Sequence, residues 1–167
     1  QMLRTFDTDL SWSTVTANRD MKVVRELLMN PKLLPGFNDS GAHLTNMAFY
    51  DVNLRSLKLA AEGGEGDANY MVKRLTKDAA DVFGVDRGTI YTGDVADLIL
   101  LDPKQLATYD GEAHVQRVYR EEFQHAQLVN RSDRVVPLVL INGQVAWQSD
   151  DFSVDLGKVK FGSLLKP

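Results

Sequence analysis

Cysteine is absent from the 167 residues, so no disulfide, thiolate metal site or cysteine nucleophile can be built from this chain. Histidine is scarce, at three, and neither His-x-His nor His-Glu-x-x-His occurs. The spacings that make a self-contained zinc site are therefore missing. No apolar run approaches the roughly 18 residues that a membrane-crossing helix needs. No leader pattern is read at Gln1, and the expectation is a cytoplasmic protein with no membrane partner. Positive charge is not in excess. Nineteen Lys and Arg against 23 Asp and Glu give a net charge of −4, so no basic footprint for nucleic acid is present. Internal repeats and low-complexity stretches are lacking as well.

What remains is the composition of a globular protein, with 44% hydrophobic and 25% charged residues. The length suits one domain or somewhat more, with a sizeable core. Helix signals cover Met21–Met29, where Val23, Val24, Leu27 and Leu28 share a face, Asp20 suits the N-cap, and Asn30-Pro31 stops the pattern. "KLLPGFND" reads as a short strand or extended segment ending near Asp39. A second helix is expected over about Leu44–Glu62, with Leu44, Met47, Ala48, Leu54, Leu57 and Ala61 at helical steps. The "GGEG" link leads to a third over about Asp67–Phe83, with Met71, Val72, Leu75, Ala79, Val82 and Phe83 inward, Asp67 as a cap and Gly84 at its end.

After Gly84 the pattern turns to short strand-like runs. "ILL" at 99–101 is one, and "VVPLVLINGQVAW" (135–147) reads as a hairpin turning on Asn142-Gly143. Residues 104–134 are charged and poorly periodic, and read as loop with short strands or one helical turn. The closing segment reads as extended and surface-packed. Helices thus precede strands.

The chemistry concentrates in "GFNDSGAH" (36–43). Asp39 in an Asn-Asp-Ser-Gly run is turn chemistry. Read otherwise, it is a carboxylate at the end of a strand, where barrel enzymes place catalytic groups. There it could touch a metal and take a proton from metal-bound water. His43, four residues on, is either a surface or helix-start imidazole or a second group facing the same cavity. His114 and His125 have no acidic or imidazole partner at ligand spacing and read as solvent-facing. Arg55 is either an exposed helical arginine or a group able to reach a substrate carboxylate. "GGEGDA" lacks the Lys-Ser/Thr of a phosphate loop.

"GFNDSGAH" resembles the last-strand motif of the amidohydrolase superfamily, in particular its N-acyl-D-amino-acid deacylase (D-aminoacylase-like) branch, which typically reads Ser-Asp-Ala-Gly-Ala-His there. "VKRLTKDAADVFGVDRGTIYTGDVADLILLDP" (72–103) and "VVPLVLINGQVAWQ" (135–148) are similar to two later blocks of that family, in the same order. Asn38 stands where the family has Ser or Thr, and Ser40 replaces Ala. The resemblance implies an α/β chain: the C-terminal part of a metal-dependent (β/α)8 barrel over 1–84, then strands of a small β-sandwich over 85–167. It implies hydrolysis of the amide bond of N-acyl amino acids, of D configuration, with one or two zinc ions in the intact enzyme. Asp39 matches the last-strand aspartate that acts as general base and acid and touches the metal. His43 matches the motif histidine near the substrate, and the family's substrate-contacting arginine is placed at Arg55. The family's other metal ligands lie upstream of these residues. This piece alone is therefore expected to bind no zinc and to be inactive, and its partner is the N-terminal part of the same enzyme. Self-association is left open. Two further readings stand beside this one: a cyclic-amide hydrolase of the dihydropyrimidinase or dihydroorotase kind, and a non-catalytic folding or assembly module.

Overall fold

The computed structural model describes residues 4–5, 17–36, 46–130, 134–149 and 151–166. From Met21 the described elements run α1 (Met21–Met29), β1 (Asn46–Met47), a 3-10 turn (Ala48–Asp51), α2 (Val52–Ala61), α3 (Glu65–Leu75) and α4 (Lys77–Phe83). They continue with β2 (Leu98–Leu100), α5 (Pro103–Thr108), β3 (Val115–Arg120), β4 (His125–Asn130), β5 (Leu138–Ile141), β6 (Gln144–Gln148) and β7 (Asp151–Phe152). The result is a mixed α/β arrangement with two small sheets, in the orders β1-β4-β3 and β2-β5-β6-β7. No described helix is long and apolar enough to cross a membrane.

Asp20 caps α1 as expected: its carboxylate accepts the Lys22 N–H at 2.9 Å and the Val23 N–H at 3.4 Å. The apolar face is narrower than expected, because Val24 and Leu28 are half-buried while Val23 and Leu27 are exposed. The strand expected to end near Asp39 is not formed in its described part. The Asn30 side chain accepts the Lys32 N–H at 2.9 Å, and its carbonyl accepts the Leu33 N–H at 3.1 Å. These bonds fold residues 30–33 into a turn. Residues 37–45, and with them Asp39 and His43, lie outside the described residues.

One helix over 44–62 was the expectation; β1, a 3-10 turn and α2 stand in its described part. Asn46 and Met47 pair in parallel with Leu128 and Val129 of β4, so tertiary pairing overrides the local helical pattern. The helix expected over 67–83 is two helices. Thr76, at φ −121° and ψ −85°, interrupts it, and the interruption resets the inward face. Ala80 is buried in place of Ala79, and Val82 and Phe83 are exposed. Asp67 does not cap α3, which starts two residues earlier; its carboxylate pairs with Arg25 instead. Gly84 ends α4 in the left-handed region at φ 65°, as its position suggested.

The core gathers Leu57, Ala60, Met71, Leu106, Tyr109 and Val135, with Leu28, Met29, Leu54, Leu75, Leu101 and Val136 packed against it. It draws on residues either side of Gly84. Met71 is fully buried at its centre. Met71→Ala is expected to cost about 2–5 kcal/mol through lost contacts and the cavity left behind, measured as a lower denaturant midpoint. Arg74 is buried too. It donates to the Leu28 and Leu33 carbonyls, and its guanidinium lies 5.4 Å from the centroid of the Tyr70 ring. Leu28 O belongs to the last turn of α1, so a cation here satisfies a helix-end acceptor.

In the second sheet, Asn142 (φ 51°) and Gly143 (φ 76°) turn β5 into β6, as the Asn-Gly pair required. The turn is held from outside by Asp97, whose carboxylate accepts the Asn142 N–H at 2.8 Å. The Trp147 indole N–H donates to the Val136 carbonyl at 3.0 Å, and its ring meets Phe152 edge-on at 4.8 Å. The poorly periodic stretch 104–134 holds α5 and the β3–β4 hairpin, which runs in register from Val115↔Asn130 to Arg120↔His125. His114 and His125 are half-buried rather than solvent-facing. Each has an aromatic neighbour: His114 stacks on Tyr109 at 5.5 Å, and His125 tilts against Phe123 at 6.1 Å.

Candidate functional site

The described residues gather one buried polar cluster, at the junction of α2, β4 and the turn after α5. Asp51 occupies the N-cap position of α2, where a carboxylate ordinarily accepts the helix's free N–H groups. It does not do so here. Its Oδ2 instead accepts from Arg55 Nε at 2.7 Å, from the Tyr109 hydroxyl at 2.8 Å and from Asn130 Nδ2 at 3.2 Å. Three donors saturate one carboxylate oxygen. Asn130 Nδ2 also donates to the Gly111 carbonyl at 2.7 Å, and Lys58 Nζ donates to the Tyr109 carbonyl at 2.7 Å.

Each position follows from the local fold. Arg55 lies one turn beyond Asp51, which puts the two side chains on one face. Asn130 is the last residue of β4, opposite Val115. Tyr109 closes α5, and its ring belongs to the apolar core while its hydroxyl reaches Asp51. Gly111 sits close to the pair: a Cβ there would collide with Asp51 Oδ2 and lie 2.5 Å from Arg55 Nη2 and 2.9 Å from its Cζ, so a larger residue would have to displace these side-chain ends.

Electrostatics fix the protonation states. Burial, then the hydrogen bond to Asp51 and that residue's charge, push the Tyr109 phenol up to about 12. It is a neutral donor across the physiological range and no base. For Arg55, burial pulls the guanidinium down, but the bond to Asp51 and its charge outweigh this and hold it above its ordinary value. A phenol whose proton is held more tightly in the folded state stabilises the fold fully below its unfolded value near 10. That contribution is lost as pH rises toward about 12. Tyr109→Phe removes the group, so its stability should fall less steeply than the wild type's between pH 10 and 12, as read from denaturant midpoints across that window.

Of the residues singled out in the sequence, Arg55 is in this cluster; Asp39 and His43 lie outside the described residues. Asp51, Tyr109, Gly111 and Asn130 were not anticipated. Only the Asp51–Arg55 spacing of four was a signal for them; the rest are brought in from 58 and 79 residues away by the fold. Among the described residues, no group of three or more His, Asp or Glu side chains is arranged to hold a metal ion. The cluster offers one chemical capacity, an arginine fixed along one edge and 48% exposed along its side chain, which suits an anion.

No family model matches the chain, and no solved structure matches it. It is similar to proteins of Mycobacterium tuberculosis and Mycobacterium bovis, each bearing the name uncharacterized protein. With each it is 33% identical over 150 residues, which is 86% of this chain and 24% of theirs. The chain thus spans about a quarter of the length of the curated relatives it matches.

Proposed function

We propose that the chain is the C-terminal portion of a metal-dependent amidohydrolase that hydrolyses the amide bond of N-acyl amino acids of D configuration. The observation that carries this reading is the order of three blocks, 36–43, 72–103 and 135–148, each similar to the corresponding block of the D-aminoacylase-like branch. The relatives' greater length supports it, since it leaves room for the metal ligands that this segment does not contain. A cytoplasmic enzyme is part of the same proposal.

The described residues do not by themselves form a zinc site. The reading assigns the ion to ligands upstream, with Asp39 joining them. Asp39 accepts a proton from the attacking water and returns it to the nitrogen that departs, which turns a poor leaving group into an amine. His43 contacts the substrate, and Arg55 receives its carboxylate.

The test is an assay of the complete polypeptide, with its metal content, on N-acetyl-D-amino acids, their L isomers, and hydantoin, dihydropyrimidine and dihydroorotate. Zinc with turnover of the D series supports the proposal. Turnover confined to the cyclic amides would move the enzyme to that branch, and failure on every amide would leave a non-catalytic module.

A further inference from the structure

The cluster around Arg55 is more elaborate than an exposed ion pair requires. Such pairs contribute little, and a free arginine side chain samples many rotamers. Here the Nε edge is held by Asp51, a carboxylate 7% exposed. Asp51 is itself held by the Tyr109 hydroxyl and the Asn130 amide. Asn130 is anchored in turn on the Gly111 carbonyl, and the Gly111 backbone lies against the guanidinium. A guanidinium carries five N–H donors. One is spent on Asp51, and the Nη pair that makes two parallel bonds to a carboxylate is left over.

We propose that Asp51, Tyr109 and Asn130 are positioning residues that hold Arg55 as a fixed receptor for the free carboxylate of the substrate. The proposal rests on the amidohydrolase reading above and assigns its specificity: the enzyme binds the free acid more tightly than the corresponding ester. Pre-setting the guanidinium removes the ordering cost from the binding step. Tyr109 and Asn130 touch no substrate in this account and act through Asp51.

The experiment uses the complete enzyme and a matched pair of substrates, N-acetyl-D-leucine and its methyl ester. In Tyr109→Phe and Asp51→Asn, KM for the acid is expected to rise about tenfold or more, given what a charge-assisted hydrogen bond contributes. The kcat for the acid and both constants for the ester stay near wild type. Arg55→Lys should show the same acid-selective loss, because an ammonium keeps the charge but not the planar fork. Thermal melts check that each variant is folded. Tyr109→Phe, which keeps the ring in the core, carries the test if Asp51→Asn does not fold. Equal losses on acid and ester, or no change on either, would overturn the positioning role while leaving the amidohydrolase reading intact. Failure of the wild-type polypeptide on both compounds and on every other amide of the assay above would overturn both.

Discussion

On the proposed amidohydrolase reading, asparagine in place of Asp39 is expected to lower kcat of the complete polypeptide by at least about two to four orders of magnitude, the range general acid–base groups contribute. The substitution is nearly isosteric, so it removes a proton acceptor without opening a cavity. Under the amidohydrolase reading the same carboxylate is used twice, once to take a proton from water and once to give it to the departing amine. Losing it therefore affects both halves of the reaction, and water cannot easily replace a group held in place. KM should change far less than kcat, because the substrate's carboxylate is assigned to Arg55 and not to Asp39. His43→Asn should show the reverse pattern, with KM raised more than kcat is lowered. Steady-state kinetics on an N-acetyl-D-amino acid separate the two. Wild-type turnover in Asp39→Asn would remove this residue from the chemistry and the proposed mechanism with it.

Local signals in the sequence hold where local physics decides the outcome. Asp20 caps a helix, Gly84 ends one, and Asn142-Gly143 turns a hairpin, because each depends on a few neighbouring backbone groups. Signals failed where a distant segment decides. Asn46 and Met47 sit within a helical pattern, yet they pair with Leu128 and Val129, some 80 residues away. The Thr76 interruption left no proline or glycine to announce it. Its effect was to expose Val82 and Phe83, which a continuous helix would have turned inward. The candidate site divides in the same way. Arg55 is singled out by its place after the motif, and its spacing of four from Asp51 is a local signal from which Asp51 was not anticipated. Tyr109 and Asn130 have no such signal, because β4 and the end of α5 meet α2 only in the folded chain. Arg87 and Gly88 lie within the 72–103 block, which enters only as a resemblance; the structure supplies a physical reason for the glycine at 88.

Gly88→Ala is expected to destabilise the chain by roughly 3–5 kcal/mol, while Gly93→Ala costs only about 1–3 kcal/mol. Both glycines adopt positive φ, at +86° and +102°, so an alanine is strained at either. The difference lies in what a new methyl group meets. At Gly93 nothing lies within 4 Å, whereas at Gly88 the Cβ would stand 2.7 Å from the Thr76 carbonyl carbon and the Lys77 nitrogen. Those are backbone atoms at the break between α3 and α4, and they cannot move aside as the tip of a side chain can. The 86–97 segment is therefore pressed onto the point where the helix is interrupted, and the two features depend on each other. A methyl group at 88 must either lift this segment from the helices or shift the Thr76 backbone. Denaturant unfolding of the two variants beside wild type measures the contrast directly. Equal costs at 88 and 93 would mean that only the positive φ matters and that the close approach at Thr76 contributes nothing.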